Sequence, residues 1–208
     1  MNVDVQYATM EHIKYAQEIC DLIESAAKAR GTGIAKREPE YIQKKIESGQ
    51  AVIATYAGEL AGFCYIETWQ NKEYVANSGL VVNEKFRNLG LAKTIKKKIL
   101  ELSQEKFPGT KLFGITTSLA VLKINYELGY RPVTFSELTT DEAFWNGCKS
   151  CPNYDILERN KRANCLCTGM LFDEKLQPKE SEKPKSFIAK RFQRLTKFKN
   201  KRKLNKKK

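Results

Sequence analysis

The chain of 208 residues contains one histidine, His12. A hydrolytic triad built on Ser–His or Cys–His would have to recruit this side chain. It falls early in a predicted helix and reads more simply as a helix residue. No apolar run approaches the roughly 18 residues of a membrane span. The opening stretch, MNVDVQYATMEHIKY, has no basic region leading into an apolar one, so no secretory signal is expected. G-x-x-x-x-G-K-[ST] does not occur, and no second glycine completes G-x-G-x-x-G at the loop discussed below. Nucleoside triphosphate and dinucleotide readings therefore lose support. These absences make a reducing cytoplasm the expected location, where paired cysteines more often bind metal or do redox work than form structural disulfides.

Hydrophobic residues make up 41% of the chain, enough for a real core. The net charge of +13 is concentrated at one end. Residues 175–208 carry 15 Lys/Arg against 2 Asp/Glu, while residues 1–174 hold 22 of each sign. The organisation expected is a neutral globular core over 1–138, a Cys-rich extension with a final strand over 139–174, and a basic tail over 175–208, disordered or amphipathic.

Periodicity predicts a strand at 3–9, a helix at about 11–29, a Gly-broken loop at 30–37, and a helix from Pro39 to near Gly49. AVIATYA (51–57) and AGFCYIETW (61–69) read as a hairpin, and YVANSGLVV (74–82) as the third strand of a meander. NEKFRNLG (83–90) is a polar loop. Ala92, Ile95, Ile99 and Leu102 then recur at helical spacing, opposite Lys93, Lys96, Lys97 and Lys98. A strand at 111–118, a helix at 119–129 stopped by Gly129 and a strand at 130–138 follow. The fold class expected is α/β (α+β), with a mixed, mostly antiparallel sheet flanked by helices.

Gly90 stands where a strand-derived loop turns into a helix. The first N–H groups of a helix lack intrahelical partners, and the positive end of the helix dipole lies behind them. Such a junction suits a phosphate or pyrophosphate, and Arg87 adds a cation at its mouth. Many plain connections carry a glycine at this place as well.

The stretch VNEKFRNLGLA resembles motif A of the GCN5-related N-acetyltransferases, R/Q-x-x-G-x-G/A after a strand ending in Val. Val82, Arg87, Gly90 and Ala92 occupy the matching positions. INYELGYRPV (124–133) resembles that family's next signature, and the order of elements agrees over about residues 3–138. The resemblance implies a GNAT-like fold and an acetyl-coenzyme A donor. Its pyrophosphate would rest on Arg87, Asn88, Leu89, Gly90, Leu91, Ala92 and Lys93, and its pantetheine arm along Leu80 and Val82. An acceptor amine would attack the thioester directly. A tyrosine four residues before the helix-ending glycine protonates the leaving thiolate in many members. Here that position is Asn125, with Tyr126 one step further round the helix. Asn125 then either orients the pantetheine, or Tyr126 substitutes as the acid. Glu67 and Glu73 are candidate bases, and Ser78 and Asn77 candidate holders of a water.

The resemblance places the acceptor pocket at the loop carrying Arg30, Lys36 and Arg37. Arginines take carboxylates in paired hydrogen bonds, which points to a small amino acid. Arg30, Arg37 and Ser78 are the candidate substrate-binding residues. Together with the cysteine segment, the pattern also resembles the acyltransferases of arginine biosynthesis that acylate the α-amine of glutamate. The acyl group, acetyl or succinyl, is not readable. Cys148, Cys151, Cys165 and Cys167 have spacing compatible with a structural zinc site, with packed free thiols, or with a disulfide or redox pair. Phe144 and Trp145 are placed as a wall on the acceptor side. Residues 186–208 have apolar positions at helical spacing within a basic background. They suit RNA or an anionic surface, and supply the alternative of an RNA- or ribosome-associated binding protein on a degenerate acetyltransferase fold.

Overall fold

Alternation builds the first strands. In β2 (Ala51–Tyr56), Val52 and Ala54 join one buried cluster, while Ala51 and Ile53 join another on the opposite face. Strands buried on both faces need helices above and below. The computed structural model describes residues 3–31 and 36–177 and supplies those helices. Among these residues one sheet has seven strands in the order β1-β2-β3-β4-β5-β7-β6. The remaining strands are β1 (Asp4–Tyr7), β3 (Glu59–Trp69), β4 (Tyr74–Val82), β5 (Lys111–Thr116), β6 (Arg131–Val133) and β7 (Thr168–Phe172). The pairing of β4 with β5 is parallel, and every other pairing is antiparallel. Hence β7 enters the sheet between β5 and β6.

Helices α1 (Ala16–Arg30) and α2 (Pro39–Glu47) cover one face through Ile19, Ile23, Ile42 and Ile46, packed on Ile53, Phe63 and Tyr65. The 16-residue α3 (Leu91–Lys106) covers the other through Ile95, Ile99 and Leu102, packed on Val52, Cys64, Ile66 and Val75. Each fully buried side chain of this size contributes about 1.5–3 kcal/mol. Helix α4 (Leu119–Glu127) follows β5. Two short helices, α5 (Glu142–Asn146) and α6 (Tyr154–Arg159), lie between β6 and β7 in sequence. They help build a third cluster of Tyr74, Phe113, Phe135, Trp145, Leu157 and Leu171.

Two expected elements are reshaped. The helix expected at 11–29 begins as a 3₁₀ turn, Met10–Tyr15, before α1. His12 is buried there, and its Nδ1 accepts the Thr9 N–H at 3.0 Å. The strand expected at 130–138 shortens to β6. Pro132 has no N–H for the ladder, and Phe135 turns under into the core within a 3₁₀ turn. The final strand expected within 139–174 runs from Thr168 to Phe172. No helix among the described residues is long and apolar enough to cross a membrane. The basic segment 186–208, and residues 32–35 of the loop between α1 and α2, lie outside the described residues.

Candidate active site

Three local choices build the loop before α3. Asn83 accepts the Lys85 N–H with its side chain and fixes a 3₁₀ turn, Glu84–Phe86, which buries Phe86. Asn88 and Gly90 then take positive φ, 65° and 73°. Alternating left-handed residues turn successive amides towards a common point. At Gly90 the conformation needs glycine, because it is the N-cap of α3 in the left-handed region. The Lys93 N–H bonds to Gly90 O at 3.0 Å, so the amides of Leu91 and Ala92 before it are first-turn donors without intrahelical acceptors. Arg87 stands at the mouth, 2.8 Å from Glu84, and Lys93 ties α3 to α4 through Glu127 at 2.7 Å. The residues Arg87 to Lys93 thus form an anion-binding loop backed by a long helix.

The loop leads to an opening in the sheet. The pairing of β4 with β5 stops at Ala76–Phe113, so residues 77–82 have no partner on that side. Strand β4 also holds an extra residue against β3, between Ser78 and Val81. Gly79 sits in this bulge at φ 65°, and a Cβ there would strike the Tyr65 ring. Without that side chain, β4 can bend away over Tyr65.

A cavity follows the opening. Its cofactor-side wall holds Asn77, Ser78, Leu80, Lys96 and Asn125. Asn125 is 2% exposed, and its Oδ1 has no hydrogen-bond partner among the described residues. Tyr126 is 71% exposed and absent from the cavity wall, so the helix turns it away from the site. Lys96 is fully buried. Its Nζ donates to Asn77 Oδ1 at 3.4 Å and stands 5.2 Å over the Tyr130 ring. Burial pushes its ammonium down to about 8, against a partly offsetting pull from Cys64. Asn77 Oδ1 also accepts from Tyr130 OH at 2.8 Å, and its Nδ2 donates to Ser103 Oγ at 2.8 Å.

The opposite end of the cavity is charged. Glu67 is 6% exposed, and its Oε1 accepts from Arg37 at 3.2 Å and from Tyr41 OH. Arg37 Nε also donates to Tyr65 OH at 2.8 Å. Burial and then the Glu67 charge push the Tyr41 phenol far up. Desolvation works against the Arg37 charge, but Tyr65 and Glu67 outweigh it and hold the guanidinium above its ordinary value. Arg30 bonds to Ala26 O at 3.0 Å, and desolvation together with the Arg87 charge presses its guanidinium down. A cation pressed in this way favours an incoming anion. Trp69 Nε1, buried and without a described partner, adds a neutral donor on the same cavity.

These features agree with what the chain matches. The Acetyltransferase (GNAT) family profile matches residues 16–121, just over half of the chain. The chain belongs to the GNAT acetyltransferase family. No curated protein matches it. Solved structures with the same fold include Neisseria gonorrhoeae N-acetylglutamate synthase complexed with coenzyme A and N-acetyl-glutamate, at 17% identity and TM-score 0.59. That match covers 83% of this chain but 35% of the synthase, so the GNAT chain spans about a third of it. A Staphylococcus aureus GNAT acetyltransferase matches at 17% identity and TM-score 0.58, covering 83% of this chain and 99% of the other. Paenibacillus lautus diaminobutyrate acetyltransferase EctA, in complex with L-2,4-diaminobutyric acid and coenzyme A, matches at 10% identity and TM-score 0.56, covering 86% and 98%. Family and fold thus agree for the GNAT chain.

The four paired cysteines of this GNAT chain all line the cavity, beside Phe144, Tyr154 and Leu157. Burial pushes the Cys148 thiol up to about 11 and the Cys167 thiol up to about 12, so both are neutral near pH 7. Among the described residues no group of three or more His, Cys, Asp or Glu is arranged to hold a metal ion. The zinc site expected from the spacing therefore gains no support. The free thiols pack instead as part of the wall, with Cys148, Cys165 and Cys167 against the third cluster. Sequence reasoning passed over Gly79, Tyr41, Tyr65 and Lys96. A glycine inside a strand was a signal for the first, since it often marks a bulge or a close approach.

Proposed function

We propose that the enzyme transfers an acetyl group from acetyl-coenzyme A to the α-amine of a small carboxylate-bearing amino acid, with glutamate as the first candidate. The carrying observation is one continuous cavity. It joins the opening between β4 and β5, lined by Asn77, Ser78 and Leu80, to a charged end holding Arg30, Arg37 and Glu67. On this reading Arg87 to Lys93 hold the pyrophosphate, and the unpaired edge of β4 at Leu80 and Val82 holds the pantetheine arm. The unpartnered Asn125 Oδ1 accepts from an amide of that arm. Arg30 takes the acceptor carboxylate, with Trp69 Nε1 as a second donor and Ser78 beside them.

The acceptor must lose a proton before it attacks. Glu67 is the proposed base. Both of its described hydrogen bonds use Oε1, which leaves Oε2 for the amine or an intervening water. Arg37 orients this carboxylate. The attack is direct, with no covalent enzyme intermediate, in keeping with neutral thiols at Cys148 and Cys167. The same fold in a synthase solved with N-acetyl-glutamate, and in an enzyme solved with diaminobutyric acid, supports an amino-acid acceptor. Isothermal titration of glutamate into the enzyme saturated with coenzyme A tests the proposal. Binding at or below roughly millimolar glutamate is expected. No heat at that concentration, with coenzyme A itself binding, overturns the glutamate assignment.

A further inference from the structure

Lys96 is the one fully buried lysine among the described residues, and nothing in the acyl transfer set out above uses it. It projects from the second turn of α3 onto Asn77, the first residue of β4 beyond its pairing with β5. Its nearest groups are Asn77 on β4, Cys64 on β3 and the Tyr130 ring ahead of β6, with Ser103 of its own helix bonded behind Asn77. None of these is a carboxylate, and no carboxylate ion-pairs with it among the described residues. A buried cation without an anion is costly, so its persistence calls for an anion that comes and goes. Its bond to Asn77 places it where the strands part, on a cavity that Asn125 also lines, with Tyr126 turned out to solvent.

We infer that Lys96 is the proton donor to the departing coenzyme A thiolate, in the place that Asn125 and Tyr126 leave vacant. The inference rests on the acetyl-coenzyme A reading above. When the amine attacks the thioester carbonyl, the new C–N bond forms and the C–S bond breaks, with its electron pair going to sulfur. The Lys96 ammonium gives its proton to that sulfur, yielding the free thiol and a neutral lysine. The acceptor enters as an ammonium and loses two protons, one before the attack and one as the amide forms; both leave by Glu67 and solvent, and solvent returns one to Lys96. One proton is released per turnover and no other reactant is needed. Asn77 is a positioning residue. Its carbonyl oxygen is held by Tyr130 and its amide by Ser103, so it keeps Nζ at the parting of the strands. An ammonium at about 8 is largely protonated near neutral pH, yet it gives up its proton far more readily than an ordinary lysine.

The test uses the full chain and coenzyme A. The thiol of bound coenzyme A is titrated by its ultraviolet thiolate absorbance, in wild type, Lys96→Met and Lys96→Gln. In wild type the bound thiol is expected to ionise at least about one pH unit below free coenzyme A, because a buried ammonium faces it. Both variants are expected to lose that shift while coenzyme A affinity stays within about threefold. With glutamate as acceptor, their kcat is expected to fall on the order of 10²-fold, with the falling alkaline limb of the pH profile lost. An unshifted thiol in wild type overturns the inference without any variant. So does unchanged kcat in Lys96→Met, or acetylation of Lys96 itself by intact-mass analysis, which would make it a nucleophile. If wild type does not bind coenzyme A, the donor reading itself fails, which is a different result from bound coenzyme A with an unshifted thiol.

Discussion

Glu67 and Lys96 are buried charges of opposite sign on one cavity, and their surroundings predict opposite effects on stability. Glu67 is held by Arg37 and Tyr41, so removing its charge strands a buried guanidinium. Glu67→Gln is expected to lower kcat by about 10²–10⁴-fold and to lower the melting temperature, measured by steady-state kinetics and calorimetry. Lys96→Met removes an unpaired buried cation and leaves Asn77 Oδ1 its bond from Tyr130. It is expected to raise stability by about 1–4 kcal/mol in urea denaturation while losing activity. Lys96 titrates near 8 in the folded chain and near 10.5 when unfolded, so the unfolded chain binds more protons between those values. Wild-type stability should therefore gain on the variant as pH rises from 8 towards 10. Above that, tyrosines whose phenols are raised, such as Tyr130, turn the trend downward in both proteins. Tyr126→Phe should change kcat by less than about twofold, since its ring is in solvent. Gly90 was legible in the sequence because a left-handed residue at a helix start is a local matter. Lys96 was not. It follows Ile95 by one step and falls at the edge of the apolar face, among lysines that do reach solvent. Only Asn77 and Tyr130, distant in sequence, make it a buried site.

At the level of elements, the bulge in β4 decides where the sheet opens. Gly79→Ala would force a Cβ into the Tyr65 ring at a positive φ. About 2–4 kcal/mol of destabilisation is expected by chemical denaturation. Coenzyme A affinity should fall with it, because the strand edge along 77–82 is re-aimed. Most strands and both long helices were legible from period alone, since Val52, Ile53 and Ala54 alternate cleanly and Ile95, Ile99 and Leu102 share a stripe. The short β6 was overread because its apolar run continues through Phe135. That residue is buried by turning under the sheet rather than by extending it. The site's charged end was legible as residue types, but the pairing of Arg37 with Glu67 was not. It joins residues 30 apart on a loop and a strand, and no local pattern carries that contact.

For the whole molecule, the charge division along the sequence separates a neutral catalytic body from a basic tail. A chain ending at 177 is expected to keep its coenzyme A-induced thermal shift, within about 2 °C of the full-length protein, if donor binding belongs to the body alone. Loss of the shift on truncation would assign binding to the tail. The family was legible because Arg87, Gly90 and Ala92 lie on one continuous stretch; the sheet order was not, since nothing local says that residues 168–172 pair with both 112–116 and 131–133. That order has a consequence during synthesis. The meander from β2 to β4 closes from neighbouring hairpins, but β6 has no partner until β7 has left the ribosome. Until then a nascent chain presents β5 as a bare edge, open to pairing with another copy. The cavity wall built from the segment before β7 is thus the last part to be locked in place. Chains stalled before residue 168 are the ones expected to aggregate and to need a chaperone.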